Sequence, residues 1–125
     1  MASNKSLRKM TATASFVQAT DASSGTGAKT ISDTMSIPIG ATVTACITVP
    51  SVSSNSSSNG ETGTITVGGI SVSAAHNQAA MAAGNVVTDV TGGVTTDGTA
   101  IGITVGGEAF TAGSMDIIIE YYLLD

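Results

Sequence analysis

Short runs of alternating apolar and polar residues dominate this chain, and Gly, Ser, Asn and Pro separate them, which predicts an all-β protein. The most apolar run is 115–125, and as a β-strand it would have two apolar faces. One face consists of Ile117, Ile119, Tyr121 and Leu123, and the other of Ile118, Tyr122 and Leu124. A strand that is apolar on both faces is typically covered on both. We therefore expect a central strand whose second face (Ile118, Tyr122, Leu124) contacts another copy of the protein.

Earlier runs predict three more elements. Residues 7–17 alternate as a half-buried strand, and the glycine- and serine-rich stretch 18–29 predicts a loop. A second strand is expected at 30–37, with Ile31, Asp33, Met35 and Ile37 on one face. The cleanest alternation is 41–49, with Val43, Ala45, Ile47 and Val49 facing inward. Pro50 should end that strand, because proline cannot donate to a ladder.

The middle of the chain is richer in turn residues. Residues 51–59 are almost all Ser and Asn, which predicts a long exposed loop. Strands at 62–67 and 70–73 flank a Gly-Gly bend. The alanine-rich stretch 74–85 is either one helical turn or an irregular crossing. Further strands are expected at 86–90 and 99–105, joined by a turn region at 92–98.

About eight strands result, which favours a single-domain, jelly-roll-like (Greek-key) β-sandwich. The predicted division is a basic N-terminal arm at 1–9 and a sandwich domain at 10–125. The sequence Ile65–Gly69 recurs as Ile103–Gly107. Two copies are too few for a solenoid, so we interpret them as similar strand-to-turn corners.

Composition indicates a thin core. The 125 residues suit one domain, but only two Phe, two Tyr and no Trp are present. Because small side chains bury little apolar area, we expect a marginal monomer that gains stability by association. Charged residues make up only 10% of the chain, against about 25% in typical domains. Such a surface suits packing into an assembly.

Charge is unevenly distributed along the chain. The formal net charge is −5, which disfavours nucleic acid as a partner. Lys5, Arg8 and Lys9 contribute +3 within the first nine residues, which leaves −8 (−5 minus +3) for the rest. These three residues are the candidate contact with a partner, and an ordinary solvated terminus is the alternative.

Sequence features argue against catalysis and against bound cofactors or metals. His76 has no ligand-like neighbours, its nearest acid in the sequence being Asp89, and a surface or interface histidine is favoured. The Gly-Gly pairs are followed by β-type residues instead of a lysine and a helix, so they predict no phosphate site. Cys46 is the single cysteine and is expected to be a small buried residue. No apolar run is long enough to cross a membrane, and no signal-peptide core is evident, so synthesis in a cytoplasm is expected.

Three stretches together resemble small structural proteins of tailed-phage virions. Residues 37–49, Ile-Pro-Ile-Gly-Ala-Thr-Val-Thr-Ala-Cys-Ile-Thr-Val, look like a strand entry of those proteins. Residues 103–113, followed by Met-Asp-Ile-Ile-Ile-Glu-Tyr-Tyr at 115–122, resemble their ending. The resemblance covers roughly residues 30–125, and the serine-rich 51–59 and alanine-rich 74–83 stretches depart from it.

The resemblance implies a non-enzymatic capsid decoration (cement) protein on the virion surface. Its partner would be the major capsid protein, and a homotrimer is the favoured oligomer. A tail, baseplate or head-fibre component is the alternative among virion proteins. A carbohydrate-binding sandwich is the alternative from another class, with Tyr121, Tyr122 and the 51–59 loop as its surface, although glycan binding is not favoured.

Overall fold

A computed structural model describes residues 7–95 and 100–124 of the chain. These residues form nine strands and one short helix. Their bounds are β1 Leu7–Val17, α1 Gln18–Asp21, β2 Gly27–Thr30, β3 Asp33–Thr34, β4 Thr42–Asn55, β5 Thr62–Val67, β6 Ile70–Ser71, β7 Val87–Thr95, β8 Ile101–Gly106 and β9 Ala112–Leu124.

The strands form two antiparallel sheets, and their pairing is nested. The first sheet has the order β3-β1-β9-β4-β7, and the second has the order β2-β8-β5-β6. Strand β1 pairs with β9, β2 with β8, β4 with β7 and β5 with β6. This is the pattern of one long antiparallel hairpin rolled into two sheets, a jelly roll. The predicted β-sandwich is therefore confirmed, with the two-residue β3 as an addition to eight strands.

Strand β9 occupies the middle of the first sheet. It pairs with β1 over eleven residue pairs, from Leu7–Leu124 to Val17–Ser114, and with β4 on its other side. Its inward residues are buried, while Ile118 on the opposite face is only half-buried. Those inward residues are Met115, Ile117, Ile119 and Tyr121. The prediction of a central strand is confirmed.

The core between the sheets consists mostly of Ile, Val and Ala side chains. In this core Phe16 of β1 contacts Phe110 edge to face, with ring centroids 5.8 Å apart at an interplanar angle of 76°. The repeated sequence segments lie in paired strands, and Ile65 faces Ile103 directly across the ladder between β5 and β8. The two strands are thus neighbours in one sheet, and because they are antiparallel the two Gly-Gly corners lie at opposite ends of their ladder.

The region between β1 and β4 is less regular than predicted. The expected loop at 18–29 contains α1 and the strand β2. The expected strand at 30–37 is reduced to β3 and a bridge between Ser36 and Ala100. Ile31 and Ile37 are buried as predicted, but Met35 is exposed. The prediction of one shared face was wrong because the chain passes here from the second sheet back to the first.

A bulge changes the inward face of β4. The register of β4 against both neighbours shifts between Val43 and Ala45, which places an extra residue in one strand. Beyond the shift, Cys46 and Thr48 are fully buried, whereas the predicted core residues Ile47 and Val49 are half-exposed. Simple alternation therefore predicted the wrong face for the second half of this strand. The prediction of Cys46 as a small buried residue is confirmed.

Pro50 does not end β4, which continues to Asn55. The carbonyl of Pro50 accepts a hydrogen bond from the Gly84 N–H in the segment that crosses from β6 to β7. The Pro50 carbonyl therefore points towards this segment and away from β9. In an extended strand the backbone N and C=O of one residue point the same way, so the Pro50 nitrogen points away from β9 as well. The missing donor removes no hydrogen bond from the ladder with β9, and the strand tolerates the proline.

The remaining predicted strands are present with changed bounds, but the turn region expected at 92–98 is wrong for residues 92–95, and 96–98 lie outside the described residues. The 62–67 and 70–73 strands correspond to β5 and the shorter β6. Residues 74–85 form an irregular crossing that buries Met81. Strand β7 begins at Val87 and continues through Gly92 and Gly93 to Thr95, so those glycines are in a strand where a turn was expected.

The central position of β9 predicts a large cost for loss of core volume there. Ile119→Ala should lower the free energy of unfolding by about 2–5 kcal/mol, because Ile119 is fully buried and a cavity would remain. Ile118→Ala, its neighbour on the half-exposed face, is the matched control and should cost clearly less. Urea unfolding measures both, and equal costs would contradict the assignment of the two faces.

Candidate assembly surface

The predicted contact residues lie at one end of the first sheet. Arg8 and Lys9 are in β1, directly opposite Leu123 and Tyr122 of β9. Lys5 lies outside the described residues, so the structure gives no position for it. Leu7, Arg8 and Lys9 are paired with β9, and the division of the chain into an arm and a domain stays a prediction for the residues before them.

The predicted oligomer residues lie on the outer face of the same sheet. Ile118 and Tyr122 are half-buried there, and Leu124 is 59% exposed. Directly opposed residues on paired strands share a face. Tyr122 therefore lies beside Lys9, and Leu124 beside Leu7, which is 63% exposed.

The structure thus joins two surfaces that the sequence analysis treated separately. We call Leu7, Lys9, Tyr122 and Leu124 the terminal patch. It combines two exposed leucines, an aromatic ring and a cation. Lys9 also lies 3.8 Å from a carboxylate oxygen of Glu120, a partly exposed ion pair that contributes little to stability. The Lys9 charge is therefore available for a contact with a partner.

The outer face changes character along β9. Beyond Glu120, which follows the terminal patch on this face, Ile118 has Ile47 of β4 opposite it. At the far end, Asp116 accepts a hydrogen bond of 3.0 Å from the Ser15 hydroxyl, and Ser15 is itself opposite Asp33 of β3. The face therefore runs from a basic, apolar end to an acidic end.

The outer face of the second sheet is different. It presents small side chains because Thr62, Thr64 and Thr66 of β5 alternate with the core residues of that strand. Gly106 and Gly102 of β8 lie opposite Thr62 and Thr66. The β5 and β8 residues named here offer hydroxyl groups and no bulky apolar anchor, so the first sheet carries the better candidate for a specific protein contact.

The surface proposed for a carbohydrate partner is not assembled as the sequence suggested. Tyr121 is buried in the core, and only Tyr122 reaches the outer face. Two neighbouring residues on one strand point to opposite faces. An exposed platform made of both tyrosines is therefore excluded by the register of β9.

The serine-rich segment is organised by two carboxylates. The Ser54 hydroxyl donates to Oε2 of Glu61 at 2.9 Å, and the Ser56 hydroxyl oxygen is 2.7 Å from Oε1 of Glu61. The Ser56 oxygen is also 2.8 Å from Oε1 of Glu108. Ser54, Ser56 and Glu61 are buried. The prediction of an exposed loop at 51–59 was therefore wrong in two respects. Residues 51–55 belong to β4, and Ser54 and Ser56 are buried.

Glu108 holds the rest of this loop. Its carboxylate accepts hydrogen bonds from the N–H groups of Gly60 at 2.7 Å and Ser58 at 3.1 Å, and from the Ser57 hydroxyl at 3.0 Å. The Gly60 N–H bond is the main cause that lowers the pKa of Glu108 to about 2, and the bonds from serines lower it further. Gly107 has φ of +72°, and a Cβ there would overlap the carbonyl of Gly60. Glycine is thus required beside Glu108.

A second polar pair fixes the crossing segment. His76 is buried, and its Nε2 is 2.6 Å from Oδ2 of Asp89 in β7. The backbone of His76 also exchanges two hydrogen bonds with Gly63 at 2.8 and 2.9 Å. The expectation of a surface or interface histidine was wrong, because the His76 side chain is buried and paired with Asp89 of β7.

Burial, with the Asp89 charge as a lesser cause, raises the pKa of the Cys46 thiol to about 12, which leaves that thiol unreactive.

The described residues contain no cluster of three or more His, Cys, Asp or Glu side chains suited to a metal ion. Within the same part of the chain, no helix is long and apolar enough to cross a membrane.

Two solved phage capsid structures contain chains with a similar fold. No protein-family model and no curated protein matches the chain. The fold is similar to that of a chain in the acidic stable capsid structure of Helicobacter pylori bacteriophage KHP30, with a TM-score of 0.61 and 12% identity over 97% of this chain and 96% of that chain. It is also similar to a chain in the cyanophage Pam1 capsid asymmetric unit, with a TM-score of 0.56 and 20% identity over 95% of this chain and 86% of that chain.

At such identities the likeness is one of fold, and it extends over nearly the whole chain. The jelly-roll sandwich described above is thus a fold found in phage capsid structures. The resemblance to phage virion structural proteins, first indicated by the sequence, is confirmed at this level.

The Glu108 contacts predict a pH dependence of stability. A carboxyl whose pKa falls from 4.5 to about 2 on folding stabilises the native state fully above pH 4.5, and this contribution is lost as the pH falls through 2. Glu108→Gln should therefore be less stable than the wild type at pH 6, and the difference should shrink towards pH 2. Denaturant unfolding from pH 2 to 6 measures it, with Glu120→Gln as control. A difference that does not change with pH would contradict the assigned role.

Proposed function

We propose that this protein is a non-enzymatic structural component of a phage virion, a decoration (cement) protein that binds the assembled major capsid lattice. The observation that carries the proposal is the fold likeness to chains of two phage capsid structures over nearly the entire length of this chain. The low content of charged residues and the mixed apolar and basic terminal patch also suit a protein that functions within an assembly. Its place would be the outer surface of the shell, after synthesis in the host cytoplasm.

The terminal patch is the proposed contact with the shell. Exposed leucines supply apolar area, and Lys9 supplies positive charge. Arg8 adds a second positive charge at the same end of β1, on the opposite face, where it is paired with Leu123. The protein as a whole carries a net charge of −5. Favourable contact with an acidic region of the shell would therefore orient this end towards the lattice.

The same patch contains two of the three residues proposed for the oligomer interface. Tyr122 and Leu124 belong to the terminal patch, and Ile118 lies on the same outer face, with Glu120 between it and the patch. Contacts between copies of the protein and contacts with the shell would then both involve the terminal patch. Oligomerisation and shell binding would be coupled, which suits a trimer that sits where several capsid subunits join.

Stabilisation of the shell would follow from mass action. A protein that binds only the assembled lattice stabilises it by RT ln(1 + [L]/Kd), about 2.7 kcal/mol per site at a hundredfold excess over Kd. Many such sites on one particle act together, and an oligomer that binds through several patches gains further affinity.

Reversal of the two positive charges at this end of β1 tests the shell contact. The double variant Arg8→Glu/Lys9→Glu should lose binding to purified particles that lack the protein, measured by co-sedimentation. Lys29→Glu is the matched control, because Lys29 lies in β2 of the other sheet. Thermal unfolding checks that the variants remain folded. Charge reversal is cleaner than deletion of residues 1–9, which would also remove the three residue pairs of the β1–β9 ladder at Leu7 to Lys9. Unchanged binding by a folded double variant would exclude this contact.

Leu124→Asp tests the coupling of oligomer and shell contacts. A carboxylate in place of an exposed apolar side chain should dissociate the oligomer, measured by analytical ultracentrifugation, and weaken particle binding with it. Thr11→Asp, on the same face of β1 but outside the patch, serves as control. If Leu124→Asp leaves the oligomer intact, the interface lies elsewhere. If the oligomer dissociates and binding per chain is unchanged, the two contacts are independent.

Particle binding also separates the main proposal from its rivals. Localisation of the bound protein by cryo-EM on the head supports a decoration role, whereas a position on the tail, baseplate or head fibres supports the alternative virion roles. Saturable binding to one class of glycan, without binding to particles, would favour the carbohydrate-binding alternative.

A further inference from the structure

The loop between β4 and β5 contains an asparagine followed directly by a glycine. Of the five asparagines in the chain, only Asn59 has this neighbour. Glycine has no Cβ, so nothing hinders the approach of the Gly60 backbone nitrogen to the side-chain amide of Asn59. Both residues are exposed. The pair therefore has the sequence and the solvent access that spontaneous deamidation requires.

Deamidation has two steps. The Gly60 nitrogen loses its proton and attacks Cγ of Asn59, so that an N–Cγ bond forms, the Cγ–Nδ2 bond breaks and Nδ2 leaves as ammonia. The product is a cyclic succinimide. Solvent water then adds to one of its two carbonyl carbons and opens the ring, which gives aspartate or isoaspartate. In isoaspartate the main chain runs through the former side-chain carbonyl carbon.

The fold gives a structural reason for each residue of this labile pair. Asn59 has φ of +61°, a left-handed conformation that asparagine adopts more readily than most residues with a side chain. A Cβ on Gly60 would lie 3.1 Å from Oε1 of Glu108, closer than ordinary van der Waals contact. The turn thus favours asparagine at 59, and the approach of Glu108 favours glycine at 60.

The same approach holds the attacking nitrogen. The Gly60 N–H donates to Oε1 of Glu108 at 2.7 Å, the short distance of a charge-assisted hydrogen bond. Glu108 is ionised throughout the neutral range, because its pKa is lowered to about 2. Loss of the Gly60 proton would place a negative nitrogen against this negative oxygen, and like charges at such a distance repel. The carboxylate therefore opposes the first step of deamidation.

The other reacting group has no such protection. Nε2 of Gln78 donates to Oδ1 of Asn59 at 3.3 Å. A donor on a carbonyl oxygen withdraws electron density from its carbon, which makes Cγ of Asn59 easier to attack. Gln78 belongs to the crossing segment and Glu108 to the loop after β8, so different parts of the fold hold the two reacting groups. Protection of the pair thus depends on the contact between Glu108 and Gly60.

We propose that Asn59 is a deamidation site and that the Glu108 carboxylate suppresses its reaction in the folded protein by holding the Gly60 N–H. The modification would change the net charge of the chain from −5 to −6 (−5 minus 1). The new charge would lie in the loop that the negative Glu108 holds, and isoaspartate would also lengthen the main chain there. Deamidation would therefore weaken the attachment of this loop irreversibly.

The rate of deamidation in Glu108→Gln tests the proposal. Glutamine keeps the shape of the side chain and a carbonyl acceptor for the Gly60 N–H, but it carries no charge. At neutral pH this variant should deamidate about tenfold faster than the wild type, the lower end of the effect of a hydrogen bond to a charged group, because Glu108 is partly open to solvent. Mass spectrometry of the peptide that contains residue 59 measures both products. An unchanged or slower rate in the folded variant overturns the proposal, and a slower rate would make Glu108 the base of the reaction.

Three further variants serve as controls. Asn59→Gly tolerates the same φ and should abolish the mass change, which identifies the site. Ser57→Ala removes one bond of the loop to Glu108 but leaves the carboxylate on Gly60. Ile119→Ala destabilises the whole fold. The last two should deamidate at close to the wild-type rate, and an acceleration in either that equals that of Glu108→Gln would show that opening of the loop or of the fold controls the reaction, which overturns the proposal.

Amide hydrogen exchange at Gly60 gives an independent measurement, because base-catalysed exchange also removes the N–H proton. In the wild type, Gly60 should exchange more slowly than an unprotected amide, although it lies in an exposed loop. Glu108→Gln should accelerate exchange by about the same factor as deamidation. Exchange of the wild-type Gly60 amide at the rate of an unprotected peptide overturns the proposal, and this result does not require that the variant fold.

Discussion

The position of β9 between β1 and β4 is the constraint on which the rest of this structure depends. Each neighbour is hydrogen-bonded to β9 along most of its length, and β1 and β4 have no ladder with each other. The bulky inward residues of β9 also supply much of the volume of a core that otherwise consists of small side chains. Side chains alternate between the two faces of a strand, so Ile118 and Tyr122, which follow inward residues of β9, lie on its other face. Core packing and the candidate assembly surface thus arise from a single strand.

The two ends of the first sheet have different chemistry. At one end, where β4 ends and β9 begins, buried serines and two carboxylates fix the loop between β4 and β5 with short hydrogen bonds. At the other end, β1 and β9 present Leu7 and Leu124 to solvent. The first arrangement satisfies polar groups within the molecule, and the second leaves apolar area uncovered. An intermolecular contact is therefore more favourable at the second end.

Regular elements were predictable from the sequence, and irregular ones were not. Strand β1 follows strict alternation, so both its bounds and its buried residues Ala12, Ala14 and Phe16 could be predicted. Strand β4 carries a bulge, and nothing in its local sequence marks the residue at which the face changes. The buried serines were missed for a different reason. Their acceptors are a glutamate just beyond the segment and another about fifty residues away, and composition alone does not show such pairs. Asp89 and His76 were likewise joined by folding, although the sequence analysis named both.

Nested pairing also determines the order in which this protein can fold. Strand β1 must find β9 across about a hundred residues, and β2 must find β8 across more than seventy. Such a high contact order favours slow folding, because loop closure costs entropy before the distant contacts form. During synthesis, the first sheet has no middle strand until residues 112–124 have left the ribosome. The unpaired edges of β1 and β4 are exposed throughout that time, and this makes premature association with other chains the main competitor of correct folding.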